Sequence, residues 1–226
     1  MEKKNFFEKL IIGSIISLFL INIGIWIFTI SINNCVHRQE NYSSNIEYIK
    51  DKYVERLESE YNSAREILAD EIDRYIDSVA PKSNINSLTL IDMSSKYNVD
   101  LLFMMAQAHL ESHFATKGTA AKTNSVFNVG AFDGDSAEVQ KKNGYGFEHP
   151  DFSVEPYLQL ITTDYLVNGK TEHDLMVSFV NKNKKRYASY ENYEVAIKNL
   201  YTTMCNNKPL NDAYENYKMY RTKLGH

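Results

Sequence analysis

With 25 Lys and Arg against 29 Asp and Glu, this chain of 226 residues lacks the basic excess of a nucleic-acid binder, and it is long enough for one domain with a sizeable core plus further segments. The charge is uneven: residues 1–32 sum to +1, residues 33–80 to −5 and residues 81–226 to zero, so the last stretch suits an uncharged or mixed-charge ligand. Cys35 and Cys205 are too few for a disulfide framework and match no zinc spacing; two unpaired thiols, no metal and no cofactor are expected.

The chain opens with a short segment, residues 1–9, containing Lys3, Lys4 and Lys9. The run "LIIGSIISLFLINIGIWIFTISI", Leu10 to Ile32, follows: 23 residues without a single Asp, Glu, Lys or Arg. At about 1.5 Å per residue such a helix crosses a hydrocarbon core of roughly 30 Å. The lysines lie ahead of it and only Arg38 follows closely, which places the N-terminus in the cytoplasm and everything after Ile32 outside. The run exceeds the apolar region of a signal peptide and no Ala-x-Ala-like site follows, so an uncleaved signal anchor is expected. Asn33 and Asn34 before Cys35 do not resemble a lipobox.

Residues 33–80 read as a stem. Apolar or aromatic residues recur in steps of three or four at Ile46, Ile49, Tyr53, Leu57, Tyr61, Ala64, Leu68, Ile72, Tyr75 and Val79, one face of a long helix that Pro81 ends. Such a stripe either zips two chains together or lies back on its own domain. As a spacer it would hold residues 81–226 away from a membrane.

After the linker "PKSNINS", the segment "SLTLIDMSSKYNVD" reads as a helix and turn, with Asp100 as N-cap of a second helix. That second helix begins "LLFMMA", apolar nearly all round, and is therefore central and buried. Glu111 stands near its C-terminal end. The negative end of the helix dipole and partial burial both disfavour the carboxylate there, so the proton is retained toward neutral pH, as a general acid requires. The plainer alternative is a surface Glu on a last helical turn.

The segment "MMAQAHLESHFATKGTAAKTNSVFNVGAF" resembles the glucosaminidase domain of glycoside hydrolase family 73, with its "A-x-x-E-S-x-(W/F)-G-x-S" and "N-x-(L/V)-F-G-(I/V)" blocks. Glu111, Ser112 and Phe114 match the first block; Asn124, Val126, Phe127 and Val129 match the second. Ala115 and Asn128 stand where the family usually has glycine. "PDFSVEPYLQLITTDYL" is similar to the segment after the family's cleft hairpin, and "KKRYASYENYEVAIKNLY" to its "Y-A-(T/S)-x-x-x-Y-A-x-K-I" block. The resemblance spans about residues 95–201 with three blocks in order.

The resemblance implies a mainly α, lysozyme-like α+β domain with a small β-hairpin lobe, here preceded by a transmembrane helix and a helical stem. Gly130, Gly134, Gly144 and Gly146, between Val126 and Pro150, fit turns and a hairpin. It implies hydrolysis of peptidoglycan glycan strands with Glu111 as the acid. A second carboxylate is expected from the hairpin: "SAEV" offers Glu138 for the family's "T-x-E-(Y/V)", with Glu148, Asp133 and Asp135 as alternatives, or none where the substrate's 2-acetamido group assists. Tyr187 matches the cleft tyrosine of the "Y-A-(T/S)" block, a catalytic candidate. Tyr193, Phe114 and Phe127 are candidates for substrate contact or core, and Asn124 for an acetamido group. The basic run "NKNKKR", Asn181 to Arg186, is a solvated face or a contact for acidic stem peptides and wall polymers. His109, His113 and His149 show no metal spacing.

The leading reading is a membrane-anchored enzyme cutting the β-1,4 bond after N-acetylglucosamine. The alternatives are a lysozyme or lytic transglycosylase cutting after N-acetylmuramic acid, and a wall-binding or phage structural protein without activity. Expected partners are peptidoglycan strands, the membrane through residues 10–32 and, through the stem, a second copy.

Overall fold

The computed structural model describes the backbone of residues 2–130 and 136–225, and the side chains of these apart from residues 2–16, 18, 19, 40 and 41. The described chain is helical nearly throughout. α1 (Glu2–Val79) is followed by α2 (Ser87–Tyr97), α3 (Leu101–Ser112), α4 (Ala120–Thr123) and α5 (Ala137–Lys142). A 3₁₀ turn (Pro150–Ser153), α6 (Val154–Leu160), a π-helical turn (Ile161–Tyr165), α7 (Glu172–Leu175), α8 (Tyr193–Asn206) and α9 (Lys208–Leu224) complete it.

Two compact units divide the chain, Met1–Arg56 and Leu57–His226. In the first, large apolar side chains are open to the surroundings, among them Trp26 and Phe28, each 67% exposed. Near the N-terminus α1 is long and apolar enough to cross a membrane. Farther along, Ile46, Ile49 and Tyr53 are also exposed. Both cysteines are free thiols.

The second unit starts at Leu57 rather than at Pro81. The end of α1 belongs to it: Leu57, Ala64, Leu68, Ile72, Tyr75 and Ile76 are buried, and from Leu68 onward this face joins the core of the unit. So from Leu57 the apolar stripe lies back on its own domain. Polar contacts pin it there. Arg65 holds Asp92 of α2 through both carboxylate oxygens, and the Tyr75 hydroxyl bonds His109 Nδ1 of α3 at 2.8 Å.

α3 is the centre. Leu101 to Ala108 are all buried, so every face of the helix meets another element, α8 and α2 foremost. Asp100 caps it as expected, accepting from the Phe103 amide at 2.9 Å. α9 ties the elements together: the Tyr214 hydroxyl accepts from the Leu101 amide, and that of Tyr217 bonds Ser95.

The expected β-hairpin is not found among the described residues between Val126 and Pro150. "AEVQKK" there forms α5, because the Ser136 side chain caps the Val139 amide, Glu138 lies in the first turn and Lys141 and Lys142 lie in the last. Charges of these signs at these ends favour a helix through its dipole. Gly130, with φ of 69°, has the Tyr145 ring where a Cβ would stand, so a larger residue there is strained. Asp133 and Asp135 lie outside the described residues. The one β pairing among the described residues is an antiparallel bridge between Val180 and Arg186.

Candidate active site

Glu111 occupies the last turn of α3, and the turn behind it is built with unusual backbone. His113, Phe114 and Ala115 follow one another in the left-handed region, with φ of 47°, 53° and 64°. Non-glycine residues adopt this conformation at a cost of roughly 1–2 kcal/mol each. Ser112 offsets part of that cost. Its hydroxyl donates to the Val126 carbonyl at 2.6 Å and accepts from the Ala115 amide at 2.7 Å, while its own carbonyl accepts from Lys117. The Glu-Ser pair thus has a physical division of labour: the Ser hydroxyl welds the helix end to the 126–129 segment, and the Glu side chain remains available.

A directed chain of hydrogen bonds reaches Glu111 from below. The buried Tyr157 hydroxyl donates to Gln107 Oε1. That fixes the Gln107 amide with Nε2 toward Tyr193, whose hydroxyl accepts it at 3.1 Å and donates onward to Glu111 Oε1 at 2.5 Å. Asn128 approaches from another segment: its Nδ2 donates to the Glu111 backbone carbonyl at 2.8 Å and lies 3.4 Å from Oε2. Burial raises the Glu111 carboxyl above its ordinary 4.5, while the bonds from Tyr193 and Asn128 pull it down. Burial first, then the nearby Glu111 charge, pushes the phenols of Tyr157, Tyr187 and Tyr193 well above 10.0, so all three stay protonated. His109 is pushed down to about 4 by burial, with His113 and Lys117 adding to the effect, and is a neutral imidazole near neutral pH.

Glu111 opens into a cavity of about 910 Å³, lined also by Asn128, Gln140, Tyr165, Lys185 and Tyr187. The π-helical turn brings Tyr165 into this wall. Behind the wall an aromatic cluster is packed: Phe179 stacks on Tyr187 with centroids 4.7 Å apart, and Tyr165 meets Phe179 edge-on. Glu111 is the only carboxylate among the described lining residues.

The sequence candidates fall into two sets. Glu111 and Tyr187 line the cavity, and Tyr193 lies beneath, donating to the acid. The two tyrosines are held differently: the Tyr187 hydroxyl donates to the Phe127 carbonyl at 3.0 Å, and Tyr193 is the one bonded to Glu111. Phe114 and Phe127 are fully buried, the first against Tyr75 and His109, the second stacked on Tyr157 at 3.7 Å. Neither presents a face to the cavity. Asn124 clips the loop instead, its Nδ2 donating to the carbonyls of Phe147 and Glu148. Glu138 and Glu148 are exposed and absent from the lining. Its own backbone amide and then the Ser136 side chain hold the Glu138 carboxyl below its ordinary range.

Sequence reasoning missed Gln107, Tyr157 and Tyr165. A signal existed for Gln107. It is the polar residue in an otherwise apolar run and stands four residues before Glu111, one turn away on the same helix face.

A family model described as mannosyl-glycoprotein endo-beta-N-acetylglucosaminidase, the glucosaminidase family, matches residues 88–222. No curated protein and no solved structure shows a significant match. The matched region runs from α2 into α9 and contains Glu111, Tyr187, Tyr193 and the whole described cavity wall. The chain belongs to the glucosaminidase family, glycoside hydrolase family 73, and is a glycoside hydrolase acting on peptidoglycan.

Proposed function

We propose that the protein is a membrane-anchored endo-β-N-acetylglucosaminidase that cuts the β-1,4 bond after N-acetylglucosamine, with Glu111 as general acid. The observation that carries this reading is the setting of Glu111: half-buried, raised above its ordinary carboxyl value, and alone among the described cavity-lining carboxylates. A proton held there passes to the leaving glycosidic oxygen. The Gln107–Tyr193 chain steadies the acid and supports it as a carboxylate once the proton has gone.

The exposed placement of Glu138 on α5 supports a lesser role for it. Displacement by the substrate's own 2-acetamido oxygen, with water then opening the cyclic intermediate, needs no second carboxylate at the reacting carbon. Tyr187, in the cavity wall, orients the sugar. An anchor through residues 10–32, with the N-terminus cytoplasmic and the enzyme outside, is supported by the length and apolarity of the first part of α1 and by Lys3, Lys4 and Lys9 ahead of it. The exposed Ile46, Ile49 and Tyr53 support self-association through that stretch.

The test is mass spectrometry of peptidoglycan digested by the full chain in detergent, beside Glu111→Gln. Fragments ending in reducing N-acetylglucosamine, absent with the variant, are expected. Fragments ending in N-acetylmuramic acid or its anhydro form move the assignment to a lysozyme or lytic transglycosylase. Wall binding without release by either protein overturns the hydrolase reading.

A further inference from the structure

The cavity wall contains more than a sugar chain requires. Peptidoglycan's glycan backbone is uncharged apart from what hangs on the lactyl group of muramic acid, yet Lys117, Lys185 and Arg186 all line the cavity. Arg186 is committed: it pairs with Glu194 at 2.8 Å and donates to the Tyr190 and Glu191 carbonyls. Lys182, on the same run, pairs with Asp164. Lys117 and Lys185 have no carboxylate partner among the described residues. Lys185 is not on a loose tail. The Asn181 side-chain oxygen accepts from the Asn183 and Lys185 amides, and the Val180–Arg186 bridge closes the turn. Lys117 is held at the base of the strained turn by its backbone N–H, which donates to the Ser112 carbonyl.

A second, independent feature lies in the same wall. Gln140 is 3% exposed, lines the cavity, and its Oε1 has no hydrogen-bond partner among the described residues. A buried carbonyl left unmet costs about 1–3 kcal/mol, so such groups are ordinarily answered by a ligand or water. Two ammonium groups without a carboxylate partner and one unanswered amide acceptor, all among the described residues, match a ligand carrying carboxylates and amide N–H groups.

We propose that Lys117, Lys185 and Gln140 form a subsite for the peptide stem of the strand being cut, the lysines taking stem carboxylates and Gln140 Oε1 accepting a stem amide N–H. The subsite rests on the peptidoglycan reading above and adds a selectivity: strands with stems are preferred over bare glycan. Anionic wall polymers attached to muramic acid offer the same charge without the amide donors, and the substrates below separate the two.

The experiment compares the full chain in detergent with the Lys117→Gln/Lys185→Gln double variant and with Gln140→Leu. Three substrates are used: strands bearing stems and freed of wall polymer, strands bearing wall polymer with stems removed by an amidase, and bare strands. The expected wild-type result is a kcat/KM about three- to tenfold higher on stem-bearing than on bare strands, shrinking at 0.5 M salt. The double variant should lose that preference, its kcat/KM falling more on stem-bearing strands than on bare ones, and Gln140→Leu should lose part of it at any salt. Binding of stem-bearing and bare strands by Glu111→Gln gives the same comparison without turnover, so it still reads the subsite if no strand is cut. Equal rates and equal binding on stem-bearing and bare strands overturn the proposal. A preference confined to polymer-bearing strands, or an equal loss on all three substrates in the double variant, also overturns it.

Discussion

Removing residues before Pro81 should unfold the enzyme, although the family match begins only at residue 88. Such a fragment lacks the end of α1, where Leu68 and Ile72 are 0% exposed, Ile76 is 4% and Tyr75 is 7%. At about 1.5–3 kcal/mol for each large side chain returned to water, these four contribute about 6–12 kcal/mol as an upper bound. That equals much of the whole stability of a typical domain, about 5–15 kcal/mol. The loss also strips the Tyr75 hydroxyl from His109 and the Tyr75 ring from Phe114, both next to the turn that follows Glu111. Urea denaturation followed by circular dichroism should show a single cooperative transition for residues 57–226 and none for residues 81–226. Ile72→Ala in the longer fragment should cost about 2–5 kcal/mol. A cooperative transition of the shorter fragment at a similar midpoint would refute this account of the core.

Tyr193→Phe removes a donor that favours the Glu111 carboxylate, so the alkaline limb of kcat/KM should move to higher pH; a shift to lower pH contradicts the chain described above. Asn128→Gly, restoring the residue usual in the family, should move that limb the same way by less, since its contact with Oε2 is 3.4 Å. Ala115→Gly relieves a φ of 64° and should stabilise the fold by about 0.5–1 kcal/mol, read as a rise in melting temperature of about 1–4 °C. Glu111 binds its proton more tightly folded than unfolded, so wild-type stability should fall as pH rises from 4.5 through the folded value, and Glu111→Gln should flatten that slope.

Asn128 shows how a departure from a family pattern acquires meaning only in space. In the sequence it replaces a glycine. In the structure it takes the left-handed conformation that glycine ordinarily supplies, with φ of 50°, and uses its side chain to hold Glu111. Ala115 replaces a glycine too, but its methyl group offers no such bond.

The sequence by itself determined the local matters. It located the apolar N-terminal run, the Asp100 cap, the buried α3, Glu111 on its last turn and the family. These follow from periodicity, capping chemistry and short motifs, all encoded within a few helical turns. Tertiary structure alone decided which surfaces meet. The stripe on α1 carries one period from Ile46 to Val79, yet only the part from Leu57 is buried, because burial depends on a partner that periodicity does not name. Phe114 and Phe127 look as suited to a sugar face as Tyr187, and only packing separates core from cavity wall. The "SAEV" stretch resembles a family strand, but cap and end charges make it a helix. That the Tyr193 hydroxyl reaches Glu111 while Tyr187 lines the cavity was beyond any sequence pattern, because which hydroxyl meets the carboxylate is set by how α8 packs on α3.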